Sequence, residues 1–241
     1  MDFRHSGEIW RDFPELVPGI LFAEGLGGDA APAGPRTAAY AEIARSRLAG
    51  GSQTELPEIQ AWRRAFSRMG LKPTQYRCAA ESLLRRLRKE GSLPRLHPLV
   101  DLCNAISLAF AIPVAVFDVS RITGDLEVRY ADGGEEYLTF SGETEHPAPG
   151  EVIFADSARR VHARRWTNRQ SGWSAVADST TAALIVAEAM HDSAPSDVPE
   201  LVKTVAGELE AAWSVTPAAA VLTPSSPVFT LTAAGPAATS G

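Results

Sequence analysis

The chain has little of what usually announces chemistry. Its only cysteines are Cys78 and Cys103, too few for a disulfide framework or a thiolate metal site. Both fall in stretches that read as helices with apolar neighbours, which marks them as reduced core thiols of a cytosolic protein. The five histidines, His5, His97, His146, His162 and His191, are scattered, with no HExxH spacing, so no metal is expected. A G-x-S-x-G elbow and a P-loop are both missing, and no cofactor motif is found. Any enzyme built on this chain works by positioning and polarised water, or with a group supplied by its substrate. No apolar run approaches the roughly 18 residues that span a bilayer. The start, Met1 to Glu8, lacks the charged-then-apolar form of a signal peptide, so a cytoplasmic, membrane-free protein is expected.

What is present is an ordinary globular composition over 241 residues, 45% hydrophobic and 22% charged. The length suits one domain with terminal extensions. The expected division is a domain over 1–195, a C-terminal helix within 196–215, and a tail over 216–241 rich in Ala, Pro, Thr and Ser and without fixed structure.

The net charge of −6 hides an uneven distribution. Residues 63–95 hold Arg63, Arg64, Arg68, Lys72, Arg77, Arg85, Arg86, Arg88, Lys89 and Arg95 against only Glu81 and Glu90. Residues 159–169 add Arg159, Arg160, Arg164, Arg165 and Arg169 with no acid. Each patch taken alone reads as a solvated face. Two of them in an acidic chain favour a side that meets a polyanion.

The apolar pattern predicts the elements. Residues 7–16 form a short helix with Ile9, Trp10, Phe13 and Leu16 inward, and Ile20–Ala23 a buried strand. Gly25–Ala30 matches G-x-G-x-x-A, but Pro32 and Pro35 follow where a helix should open, so it reads as a turn. Helices follow at 37–48, from Pro57 with Ile59, Trp62, Phe66 and Met69 on one stripe, and at 78–89 with Arg85, Arg86, Arg88 and Lys89 outward. Leu99, Leu102, Cys103, Ile106 and Phe110 mark another helix, stopped by Pro113, and Val114–Phe117 is a strand. Asp101 and Asn104 share a face of that helix, beside its apolar stripe. Polar side chains there either find partners or line a cavity. Strands are expected at 126–130, 136–140, 151–156 and 161–166, with helices at 178–190 and 198–213. Helices, then a strand-rich half, then helices make an α+β domain. Trp166, between arginines and an amide-rich loop, reads either as core or as the rim of a hydrogen-bonding pocket.

Val100-Asp101-x-x-Asn104, followed by Pro113-Val114-Ala115-Val116-Phe117-Asp118, resembles the signature of the tRNA-editing domain of the bacterial phenylalanyl-tRNA synthetase β subunit. The likeness runs on through Gly150–Asp156 and ends in Arg169-Gln170-Ser171. Lys72-Pro73-Thr74, Glu81–Arg86 and Arg165-Trp166 are similar to freestanding versions of that domain. The resemblance implies a layered β-sandwich with helices packed on one side, and metal-independent hydrolysis, in trans, of the ester of a wrongly charged amino acid on tRNA. Some freestanding relatives are similar in acting on tRNA for arginine charged with canavanine. It assigns Asn104 to the pocket asparagine that orients the aminoacyl group. Gln170 stands where the synthetase domain has a glutamate reading the tyrosine hydroxyl, and Ala115 where it has a pocket histidine. Both departures point away from tyrosine. On this reading Asn104 and Gln170 act in catalysis, and Arg169, Ser171, Ala115 and Asp101 meet the substrate, Asp101 alternatively bracing its helix. Lys72, Arg77, Arg85, Arg86 and Arg165 track the acceptor end of tRNA. The competing readings are a tRNA- or RNA-binding module without hydrolysis and a small-molecule-binding regulator.

Overall fold

The computed structural model describes residues 1–27 and 34–232. Two sheets face each other. The first runs β12-β1-β4-β7-β8-β5-β6, with β9 added on β8; the second runs β11-β2-β10-β3. In chain order the first sheet is β1 (Asp2–His5), β4 (Leu126–Tyr130), β5 (Glu136–Leu138), β6 (Thr144–Glu145), β7 (Val152–Asp156), β8 (Arg160–Arg164), β9 (Arg169–Gln170) and β12 (Val228–Thr230). The second is β2 (Val17–Glu24), β3 (Val114–Asp118), β10 (Ala182–Ala189) and β11 (Ala218–Val221). The helices are α1 (Gly7–Asp12), α2 (Gly34–Ala49), α3 (Pro57–Arg68), α4 (Ala79–Glu90), α5 (Pro98–Phe110) and α6 (Ala194–Trp213). This is the expected α+β sandwich. Side chains alternate between two cores, as the pleat requires. Leu184 and Val186 join Phe3, Phe117 and Phe154 between the sheets. Ala183, Ile185 and Ala187 join Leu102 and Ile106 of α5 and Val198 and Leu201 of α6 on the outer face.

That placement overturns one expectation. Residues 178–190 are not a helix; β10 pairs with β2 from Ala182↔Glu24 to Ala189↔Val17 and with β3 on its other edge. A central strand covered on both faces, here apolar at every position but Glu188, shows no period-2 alternation, so its sequence looks like a buried helix. The close layer is visible at Gly19, where a Cβ would lie 2.5 Å from Val202 Cγ2 and 2.7 Å from Val198 Cγ1. Only glycine lets α6 approach β2 this closely.

The tail departs from expectation as well. β11 pairs with β2, and β12 pairs with β1 at Phe3↔Phe229, ordering the chain to the end of the described residues. Edge strands gain backbone hydrogen bonds whatever their side chains, so an Ala-rich run can serve. α6 packs in the outer core and is not separate from the sandwich. The G-x-G-x-x-A match lies partly outside the described residues; within them, Gly25 turns at φ +81 and Leu26 N donates to Thr181 O at 3.0 Å. Among the described residues no helix is long and apolar enough to cross a membrane.

Candidate functional site

Edge strand β3 and the turn between β8 and β9 flank an open cleft. Its lining includes Ala79, Ala115, Phe154, Trp166, Asn168, Arg169, Gln170 and Glu188. The turn is an unusual build. Arg165 and Trp166 both take left-handed backbone angles, φ 48 and 57, which cost non-glycine residues about 1–2 kcal/mol each. The surroundings hold them there. Trp166 N donates to Val152 O at 2.8 Å, and the buried indole meets Phe13 and Trp62 edge to face at 4.8 and 5.2 Å. Trp166 is therefore both core and cleft wall. The turn is also tied to the basic helix: Ala79 N donates to Thr167 O, and Asn168 Nδ2 to Arg77 O, each at 2.7 Å.

Polar groups sort by depth. At the rim, Gln170 Nε2 donates to Val116 O at 2.6 Å, satisfying a carbonyl of the edge strand. Arg169 lies over the Tyr137 ring, 5.2 Å from its centroid, and pairs with Glu145 at 3.1 Å. At the floor stands Glu188, only 2% exposed. Its Oε1 accepts from His5 Nε2 at 2.6 Å and Trp166 Nε1 at 2.9 Å. Its Oε2 has no hydrogen-bond partner among the described residues. A carboxylate with a free oxygen at the bottom of an apolar cleft selects for a cation or a strong donor. Sequence reasoning missed Glu188 because it sits in the stretch read as a helix, with nothing local to mark it.

The expected site residues are only partly brought together. Ala115, Arg169 and Gln170 line the cleft; Asn104, Asp101 and Ser171 do not. Asp101 Oδ1 accepts from Leu96 N at 2.9 Å, the bracing role. Ser171 is fully buried, and its hydroxyl donates to Leu138 O at 2.8 Å, so it packs a strand end and meets no solvent. Asn104 is half-buried on α5, and its amide forms no hydrogen bond among the described residues. Ser174, His162 and Asp156 line up as a nucleophile triad would, with Nδ1 to Oγ at 2.9 Å and Nε2 to Oδ2 at 3.3 Å. All three are buried outside the cleft, so they brace β7 and β8.

The two basic patches differ. On α4 and its approach, Lys72, Arg85, Arg88 and Lys89 are exposed and form no salt bridge among the described residues, while Arg86 pairs with Glu90 at 2.9 Å. Arg77 stands 3.6 Å from Glu81, which Arg63 also holds at 2.7 Å. The second patch is largely neutralised by acids distant in sequence. Arg159 pairs with Asp132, and Arg164 grips Glu151 through Nε and Nη2 at 2.7 and 2.8 Å. Arg165 lies 4.9 Å from the Tyr76 ring centroid and 4.0 Å from Glu151. Of the two patches, the α4 face carries more unpaired positive charge among the described residues, of the kind a polyanion meets.

The B3/4 domain family model matches residues 61–196, more than half the chain. Phenylalanine–tRNA ligase β subunits from Cereibacter sphaeroides (40% identical over 74 residues), Thiobacillus denitrificans (36% over 76) and Legionella pneumophila strain Lens (34% over 74) are similar to it. These alignments cover 31–32% of this chain and 9–10% of each relative, so the chain spans about a tenth of the curated relatives' length. A crystal structure of an N-terminal fragment of the phenylalanyl-tRNA synthetase β subunit from Pyrococcus horikoshii aligns at 10% identity, with a TM-score of 0.46. It covers 89% of this chain and 49% of that one. On the family match, this chain belongs to the B3/4 domain family, related to the β subunit of phenylalanine–tRNA ligase.

Proposed function

We propose that this protein is a trans-editing aminoacyl-tRNA deacylase that hydrolyses the ester of an amino acid wrongly attached to tRNA. The observation that carries the reading is the juxtaposition of the cleft with the N-terminus of α4, through the Ala79–Thr167 and Asn168–Arg77 hydrogen bonds. A tRNA whose phosphates follow Lys72, Arg85, Arg88 and Lys89 brings its 3′ end to the rim at Arg169 and Gln170. An aminoacyl ester is already activated, so holding a water in line with its carbonyl supplies much of the acceleration, without a protein nucleophile. The free vicinal hydroxyl of the terminal ribose is the proton relay. On this reading Arg169 at the rim meets the terminal phosphate or ribose, exchanging its ion pair with Glu145 for that contact.

The side chain of the attached amino acid enters the apolar depth, where Glu188 Oε2 is the distal contact. This favours a cationic amino acid, a guanidino analogue of arginine such as canavanine among them, over tyrosine. Asn104 does not line the cleft, and its role rests on the family resemblance alone.

The test is a panel of purified tRNAs charged with tyrosine, alanine, lysine, arginine and canavanine, each followed for release of the free amino acid. Faster release from the cationic members, with Glu188→Gln erasing that preference, is the expected result. Binding of tRNA without release from any member would make the protein a non-catalytic tRNA-binding module; neither binding nor release would leave a small-molecule regulator. Release confined to neutral amino acids would keep the deacylase and overturn the role of Glu188.

A further inference from the structure

Glu58, His191 and Asp197 come from three elements and meet away from the cleft. Glu58 lies in the first turn of α3, His191 two residues past the end of β10, and Asp197 in the first turn of α6. One potential ligand atom from each lies within 4.8 Å of the other two. None of the spacings in the sequence resembles a metal motif, because the fold, not the chain, makes the cluster.

A second observation points to a ligand. Glu58 is 7% exposed and His191 4%. Glu58 Oε2 and His191 Nδ1 are both buried without any hydrogen-bond partner. Buried polar atoms are nearly always satisfied, so an unpartnered carboxylate oxygen in this cluster calls for an explanation. Arg47 Nη2 binds Glu58 Oε1 at 2.5 Å, which orients the carboxylate and leaves Oε2 free. Ser193 Oγ donates to Asp197 Oδ2 at 2.6 Å, and His191 Nε2 lies 2.8 Å from the same oxygen. Arg47 and Ser193 are outer hydrogen-bond donors of the kind that commonly hold ligating side chains, and a cation takes the place of the proton between His191 Nε2 and Asp197 Oδ2.

We infer that Glu58, His191 and Asp197 form a binding site for a divalent transition-metal cation, Zn²⁺ or Mn²⁺ in class. One imidazole with two carboxylates suits such ions, and ligand bonds of about 2.1 Å need only a modest closing of the present cluster. The two carboxylates and Arg47 leave a net charge of −1 for the cation to meet. The bound ion pins α3 to the β10–α6 corner. α3 carries Trp62, whose Nε1 donates to the backbone oxygen of Glu188 at 3.2 Å. The site is therefore a structural clamp on the strand that forms the cleft floor, and it stands whether or not the cleft hydrolyses aminoacyl-tRNA.

The full chain, stripped with chelator and returned to metal-free buffer, is titrated calorimetrically with ZnCl₂ and separately with MnCl₂, with thermal unfolding measured alongside. Expected are one equivalent bound with at least one of the metals and a Tm rise on the order of 5 °C at a hundredfold excess over Kd. His191→Gln and Asp197→Asn should each weaken binding at least twentyfold. Asp197 is the safer variant to fold, since its side chain is 36% exposed. Absence of a saturable one-equivalent isotherm with either metal overturns the site. So does an isotherm that Asp197→Asn leaves unchanged.

Discussion

Trp166 Nε1 and Glu188 Oε1 lie 2.9 Å apart, joining a left-handed turn residue of one sheet to the central strand of the other. This hydrogen bond holds the cleft wall to its floor, and it directs the second carboxylate oxygen away from the indole. Trp166→Phe keeps most of the ring but leaves the buried carboxylate one donor short. The expected loss is about 1–3 kcal/mol of stability, read from urea unfolding. Stability equal to wild type would show that the bond does not hold the turn.

Ala115 faces the cleft from β3. Ala115→Phe should fill the space beside Gln170 and slow release of the amino acid more than tenfold, while Tm shifts by a few degrees at most. Undiminished turnover in steady-state kinetics would move the substrate out of this cleft.

Asn104 contributes no hydrogen bond among the described residues. Asn104→Ala should change stability by no more than about 0.5 kcal/mol in urea unfolding, since the half-buried side chain makes no such hydrogen bond to lose. Any loss of turnover in that variant then reports contact with substrate rather than unfolding.

Burial pushes the thiols of Cys78 and Cys103 up to about 12. The thiolate is the reactive form, so neither should react with a disulfide reagent in the native state at pH 8, and both should react in denaturant. Rapid native labelling of either would contradict the packing around α4 and α5.

Burial alone would raise the Asp156 carboxyl; hydrogen bonds from His162 and from the Thr123 and Arg160 amides outweigh it and hold it below its ordinary 3.8. A carboxyl depressed in the folded state stabilises the fold above its unfolded pKa, and that contribution fades as pH falls through the folded value. Stability should therefore drop below about pH 4. Asp156→Asn should be less stable at neutral pH and show a shallower acid dependence in chemical denaturation.

Much of the architecture was legible from one dimension. Periodicity placed α1, α3, α4, α5 and strand β4, and short apolar runs between turn signals placed the buried strands β2, β3, β7 and β8. The basic face of α4 was equally plain, since charge on a helix surface needs no partner to be read. What the chain alone could not decide were features set by distant segments. β10 is apolar on both faces because α5 and α6 cover one and the first sheet the other. The arginines near Trp166 lost their apparent charge to Asp132, Glu145 and Glu151. Asn104 and Ser171 come from the resemblance to the editing domain, while the cleft takes its shape from β3, the 165–170 turn and Glu188, which only sheet pairing brings together. Sequence by itself determined the amphipathic helices and the short apolar strands bounded by turns. Tertiary structure decided which polar groups meet, because a buried carboxylate is defined by what surrounds it and not by its neighbours along the chain.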